Sequence, residues 1–559
     1  MRRALVRCAV LTLAVGCSAP SAPVLDPALF RDPPADLGPH VRWWWPGGAV
    51  DDATIEVEVG RLADLGFAGI ELQPMAMGLG PDDLTADPRV RTVRETEQLA
   101  RVRAFLAAAE ARGLRTSLTL GSGWPSGGRF SVDVRPQELL LASVDVVGPA
   151  TVHLPVPAPT PPGWVAPVFG LFPVFGTFPP TATLVAVLLA PLVDADAAPP
   201  VLGPPPDVTA AMSAGTVDLT VPEGPHVVIF VQQHTVDHLV GGGAFPGLAS
   251  DAKVVDHLDP RGAATLLAEQ AGPWLDALAP QVPDEVFVDS FELVGELPWA
   301  TDLDDAFEAA WGYPIVPELP FVLREGGESK YADILRPPAG PAYAADDAHG
   351  ERVREDYEDL RGDRFRAAFI APVAAFAADR HTALRLQAHG GYAPVLDAYT
   401  LADVPESEGL YAQGSMDFLE LAASAAHVAG RSTVSSESFV AVSPLGTPMT
   451  EDERWMLAGR AYVAGINRLM FHGAAYPYVR ANGATRGPFV PDPDAGVVWS
   501  GPFLITSRFE PDSAEASTLP EFTLALTRLS YAMTRGTDVA EVAWLRAEPA
   551  VQDVCFLRI

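Results

Sequence analysis

The sequence predicts an α/β fold: a (β/α)8 TIM-type barrel with an inserted β-rich module and a short C-terminal extension. Three observations lead there. Eight short apolar runs of β-formers alternate with helix-like stretches, as a parallel barrel requires. A Val- and Pro-rich region from about 140 to 235 interrupts that alternation. Polar side chains gather at the carboxyl ends of the runs, where a barrel does its chemistry. The stretch DEVFVDSFE, 284–292, shows this in miniature: Val286, Phe287 and Val288 are an apolar strand core, and Asp289, Ser290 and Glu292 crowd polar groups where the strand emerges.

The chain begins MRRALVRCAVLTLAVGCSAP, with Arg2, Arg3 and Arg7 ahead of an apolar run and then Gly16 and Cys17. This reads as an export signal over 1–16. The small residue before Cys17 resembles a bacterial lipoprotein cleavage site, which implies lipid on Cys17, an exported protein and an outer-membrane or surface location. Once Cys8 leaves with the signal, Cys17 and Cys555 remain, too few for a disulfide framework. A Pro- and Asp-rich tether follows over 17–40.

The candidate strands are 41–45 (VRWWW), 67–72 (FAGIEL), 114–120 (LRTSLTL), 284–289, 383–389 (ALRLQAH), 402–406 (ADVPE), 432–437 (STVSSE) and 468–472 (RLMFH). They place the barrel's first part over 41–139 and its second over 236–480. Between them, 52–65 carries Ile55, Val59, Leu62 and Leu65 at helical spacing and ends at Gly66. In LDPRGAATLLAEQAGPWLDAL, Asp259 suits a helix cap and Pro260 the first turn. A third helix over 351–380 meets Pro372, which kinks or divides it. Alternating stretches such as ATVHLPV, TVDLTV and HVVIFVQ make 140–235 the β-rich insertion. The region 481–559 holds a strand-like GPFLITSRFE, a helix near 519–535 and a buried-looking VAEVAWLR.

Composition narrows the partners. With 71 acidic against 38 basic residues the formal charge is −33, which argues against a nucleic-acid backbone or an anionic bilayer as a partner. No segment reaches the roughly 18 to 20 apolar residues of a spanning helix, so membrane contact is expected only through the lipid.

The strand ends offer Trp43, Trp44 and Trp45 after the first strand and Trp124 in GSGWPSGG after the third. Later strand ends add Asp289 and Glu292, Gln387 and His389, Glu406 and Glu408, Glu437, and His472. Aromatic faces match the C–H faces of pyranose rings, and a glycosidic bond needs one protonated carboxyl at the leaving oxygen and one ionised carboxylate across the ring. Other nucleophiles do not stand out: Ser122 lacks the elbow spacing of hydrolase serines, and there is neither a P-loop nor a Cys/His set at zinc spacing. Alternation along a strand sends at least one of the three tryptophans into the core. The plainer alternatives are a loop carboxylate for Glu292 and structural histidines for His389 and His472.

In this order, VRWWWPGG, GFAGIEL, GSGWPSGG, VFVDSFEL, LQAHGGY, ADVPESEG, STVSSESF and GINRLMFHGAAYPY resemble family 106 of the glycoside hydrolases, the α-L-rhamnosidases. The resemblance runs over roughly 40 to 550. It implies a catalytic barrel with β-sandwich additions, an inverting mechanism, a rhamnose-containing glycan as substrate and a calcium ion near the sugar. The chain is expected to stop short of the β-rich modules that normally follow in the family. Carried over residue by residue, the resemblance implies Glu292 as general acid and Glu437 as general base. Glu406 or Glu408 is the alternative base, with Glu437 then orienting sugar or metal. Trp44, Trp124, Gln387, His389, Glu406, Glu408 and His472 are the expected sugar contacts, and Asp289 holds calcium or Glu292. The alternative functions are a surface lipoprotein that holds glycan without cutting it and a glycosidase for another sugar.

Overall fold

The eight runs close into one parallel barrel in a computed structural model of the chain. It describes residues 25–535 apart from 76–80, 92–95, 161–180, 241–251, 326–327, 330–339, 441, 444–448, 480–503, 506–508, 510 and 512. The strands are β1 (His40–Trp45), β2 (Gly69–Pro74), β3 (Arg115–Thr119), β4 (Glu285–Val288), β5 (Ala383–Leu386), β6 (Val404–Glu408), β7 (Ser435–Ser438) and β8 (Arg468–Ala475). Each pairs in parallel with the next, and β8 closes on β1. The signal and Cys17, and VAEVAWLR near the C-terminus, lie outside the described residues. Among the described residues no helix is long and apolar enough to cross a membrane.

The expected elements form for the expected reasons, with shifted ends. Asp51 caps the helix Asp52–Asp64 by accepting from Thr54 N, and Ile55, Val59 and Leu62 are its buried face. Asp259 accepts from Arg261 N at the start of Pro260–Leu266. The expected break at Pro372 takes the form of a π turn, Arg366–Ile370, between His349–Phe365 and Ala371–Asp379. The same arrangement recurs where the π turn Leu267–Ala271 precedes Pro273, since a proline inside a helix removes one N–H and crowds the carbonyl four residues back. Strands β2, β6 and β7 begin two or three residues later than the sequence reading placed them. Phe67 is apolar because it is buried against Phe471, with ring centroids 5.0 Å apart, while its N–H bonds back to Leu62 O. Hydrophobicity there marks burial and not strand pairing.

The insertion is an antiparallel sheet built on Gln137–Pro155, Thr183–Asp194 and Thr216–Thr235. It is not confined to 140–235. Its edges recruit Pro298–Trp299 and Ala344–Ala345 from the long connection between β4 and β5, so the segment that follows Glu292 is stitched into the sheet. Of the C-terminal extension, the strand Leu504–Ile505 and the helix Leu519–Met533 are described. Thr523 of that helix donates to Leu65 O at 2.7 Å, and Arg528 donates to Arg31 O at 2.8 Å, so both ends of the described chain meet at the foot of the barrel.

Candidate active site

Trp43 and Trp45 point outward into the core around Phe105 and Tyr476. The alternate residues Arg42 and Trp44 therefore point into the lumen. Bonds between strands that are not neighbours can run only through that lumen, and they are many. Arg385 of β5 donates to Glu71 of β2 on the far side and to Glu406 of β6, while its Nε lies 3.1 Å from Glu285 Oε2. Arg468 grips Glu285 at 2.6 and 3.2 Å. Burial alone would raise the Glu285 carboxyl, but Arg468 and Arg385 hold it down at about 2. The lower lumen is thus filled by paired ions.

Arg42 links this network to the mouth. Its Nε donates to Glu71 Oε1 at 2.7 Å, its Nη1 lies 2.8 Å from Glu437 Oε2, and Asp289 Oδ2 is 3.8 Å away. Gln387 Nε2 donates to the same Glu437 Oε2 at 2.8 Å and to Glu406 Oε1 at 3.1 Å. Glu406 Oε2 also accepts from Ser435 at 2.6 Å, so both its oxygens are engaged. Glu437 Oε1 lies 3.6 Å from His472 Nε2 and has no hydrogen bond among the described residues. Burial raises the Glu437 carboxyl above its usual value, opposed by Arg42 and Gln387.

Glu292 is half-buried on the loop beyond β4, with φ at 40°, a conformation that costs a non-glycine residue energy. Ser290 Oγ donates to its Oε1 at 3.2 Å. The loop is pinned to the end of β5 by Phe291 N to His389 O and Leu293 N to Gly390 O, at 3.0 and 3.1 Å. That contact explains the glycine in LQAHGG: Gly390 has φ +78°, and a Cβ there would lie 2.4 Å from Glu292 N. Asp289 accepts from Gln73 at 2.6 Å and from Ser290 N at 2.8 Å. Burial first, and then the charge of Glu437, outweigh Arg42 and bring Asp289 to about 7. Glu408, 2.8 Å from His389 Nε2, is pushed well above the carboxylate range by burial and by the charges of Glu437, Glu292 and Asp289.

The structure therefore brings Asp289, Glu292, Gln387, His389, Glu406, Glu408, Glu437 and His472 to one mouth. Two expectations change in character. Trp44 is 1% exposed, donates to Gln73 Oε1 at 3.2 Å and meets the His472 ring edge-on at 4.8 Å, so it is a wall behind the site and not an open platform. The loop carrying Trp124 is tightly packed: Gly127 and Gly128 pair with Val254 and Lys253, and Ser122 N donates to Gly127 O. Trp124 itself is half-buried there. His472 is kept neutral by burial and by Arg42, well below its usual pKa.

Calcium meets a different difficulty. Among the described residues no three His, Cys, Asp or Glu side chains gather as ligands for a metal ion. Asp289 and Glu406 already accept N–H or O–H bonds and Glu408 faces His389, so the carboxylates as placed do not fit a cation cage.

Sequence reasoning missed Arg42, Glu71, Gln73, Glu285, Arg385 and Arg468. Their signal was present as alternation: Arg42 and Trp44, Glu71 and Gln73, and Arg385, Gln387 and His389 each occupy every second position.

No family model matches the chain, and no curated protein matches it. Among solved structures, it is similar to a rhamnosidase from Novosphingobium sp. PP1Y, at TM-score 0.60 and 15% identity over 94% of this chain and 62% of that one. The likeness is one of fold, and this chain spans 62% of that rhamnosidase's length. A second similar structure, the catalytic domain of a beta-amylase from Paenibacillus polymyxa, has TM-score 0.35 and 9% identity over 79% of this chain and 92% of that one.

Proposed function

We propose that the protein is a glycoside hydrolase that removes terminal α-L-rhamnose from glycans with inversion at the anomeric carbon. The observation that carries this reading is the asymmetry of the carboxyl groups at the mouth: Glu437 has one oxygen held by Arg42 and Gln387 and the other, facing His472, without a hydrogen bond among the described residues, while Glu292 stands half-exposed on its own loop. The fold shared with a rhamnosidase supports it.

In this mechanism Glu292 gives its proton to the leaving glycosidic oxygen as the bond to the anomeric carbon breaks. Glu437 takes a proton from a water that attacks that carbon from the opposite face. Glu406 is set apart from the base role by its full set of bonds, and Glu408 by the bond its Oε2 shares with His389 Nε2. Glu408, next to His389, instead offers a hydrogen bond to a sugar hydroxyl.

Release of the chromophore from an aryl α-L-rhamnoside, with NMR of the first-formed sugar, tests the reading. The expected product has the opposite anomeric configuration, and a retained anomer overturns inversion. Glu292→Gln is expected to slow unactivated glycosides by on the order of 10² to 10⁴, and aryl glycosides with good leaving groups less. Wild-type turnover in that variant removes Glu292 from the acid role. Calcium beside the sugar is a proposal carried by the motif resemblance alone; kinetics after exhaustive chelation, with metal analysis, decide it. Lipid on Cys17 is proposed from the sequence, and a Cys17→Ala protein that stays in the membrane fraction would remove it.

A further inference from the structure

We propose that Arg42 and Gln387 are positioning residues for the base: they hold one oxygen of Glu437 and so aim the other at the water that attacks the sugar. This rests on the glycosidase reading above. Gln387 donates to Oε2 and the Arg42 guanidinium pairs with the same oxygen, each at 2.8 Å. Each is itself held from behind. Arg42 is fixed by Glu71 at 2.7 Å and lies over the Phe287 ring at 5.0 Å, and Gln387 is fixed by its second bond to Glu406 at 3.1 Å. The carboxylate is therefore pinned in direction as well as charge, with Oε1 left to accept one proton from water.

A second lumen arginine provides the contrast. Arg385 engages Glu71, Glu285 and Glu406 and reaches no carboxyl with an open oxygen. Its place is in the filling of the lumen, whereas Arg42 spans from that filling to the reacting group.

The test compares azide rescue in three proteins. In Glu437→Ala, azide forms its bond to the anomeric carbon as the leaving oxygen departs and needs no base, so it restores turnover and yields a glycosyl azide. If Arg42 acts by aiming Glu437, Arg42→Met loses on the order of 10²-fold in kcat, with KM within about threefold. Azide then recovers about tenfold or more of that loss as the same glycosyl azide, and Arg42→Lys retains an intermediate rate. A merely structural defect is not mended by a nucleophile. Gln387→Met is expected to show a smaller loss with the same rescue, and it carries the test if Arg42→Met does not fold. Wild-type kcat in both variants, or losses that azide leaves untouched while rescuing Glu437→Ala, overturn the positioning role alone. Undiminished turnover in Glu437→Ala overturns the base assignment, and the positioning role with it.

Discussion

The barrel lumen and the core of the inserted sheet are both enclosed by strands, yet they are filled with opposite chemistry. In the sheet, Val187, Leu189, Val217, Leu219, Val221, Val228 and Phe230 pack against one another, all buried. In the lumen, Arg42, Glu71, Glu285, Arg385 and Glu406 are equally buried and bonded through named atoms. Apolar packing is non-directional and gains roughly 25 cal/mol for each Å² removed from water. Buried ion pairs give up hydration on both partners and are often no better for stability than apolar residues of the same size. They fix direction instead. The sheet and the helix-facing layer of the barrel hold the fold, and the lumen holds the aim of the mouth.

The largest expected effect comes from breaking one side of that contrast. Arg385→Met leaves Glu71, Glu285 and Glu406 short of a partner and is expected to cost about 3–5 kcal/mol in urea unfolding, whereas Leu189→Met in the sheet costs less than about 1.5 kcal/mol and leaves turnover unchanged. Similar losses in the two variants would erase the distinction. Gly390→Ala is next. Its Cβ meets the backbone of Glu292 and strains a left-handed residue, so kcat is expected to fall on the order of 10²-fold by displacement of the acid; a normal kcat would show that the loop yields freely. The smallest effect belongs to the seam between the two regions. There Glu296 N donates to Glu138 Oε2 at 2.6 Å and Glu138 faces His234 Nδ1 at 2.9 Å. Burial and the charge of Glu138 raise Glu296 from 4.5 to about 8. The folded chain then keeps a proton that the unfolded chain releases, so the contribution of this group to stability is full below pH 4.5 and declines as pH rises toward 8. Glu296→Gln is expected to flatten that decline, and urea midpoints that fall in parallel for both proteins would refute it.

Six of the barrel strands were legible because they carry outward apolar residues that meet helices, such as Val41, Ile70, Val286, Leu384 and Leu469, whereas β6 and β7, with Ser407 and Ser436 at outward positions, were legible through the polar residues at their ends. The mouth was legible as polar residues at strand ends. The lumen was not, because its bonds join distant parts of the chain: Arg385 and Glu71 are 314 residues apart. Gln73 was missed because β2 runs two residues past the expected end. Glu406, Glu408 and Glu437 look alike in the sequence, because what distinguishes them is which distant groups reach each one.

The docking of Arg31 on the helix Leu519–Met533 has a further geometric consequence. The chain enters the barrel at its foot, through β1, where Asp26 N also bonds to Tyr531 of that helix. The mouth lined by Asp289, Glu408 and Glu437 lies at the opposite end of the strands. The lipid proposed on Cys17 would then join the chain from the side of the barrel away from the opening, so that attachment and entry use opposite faces.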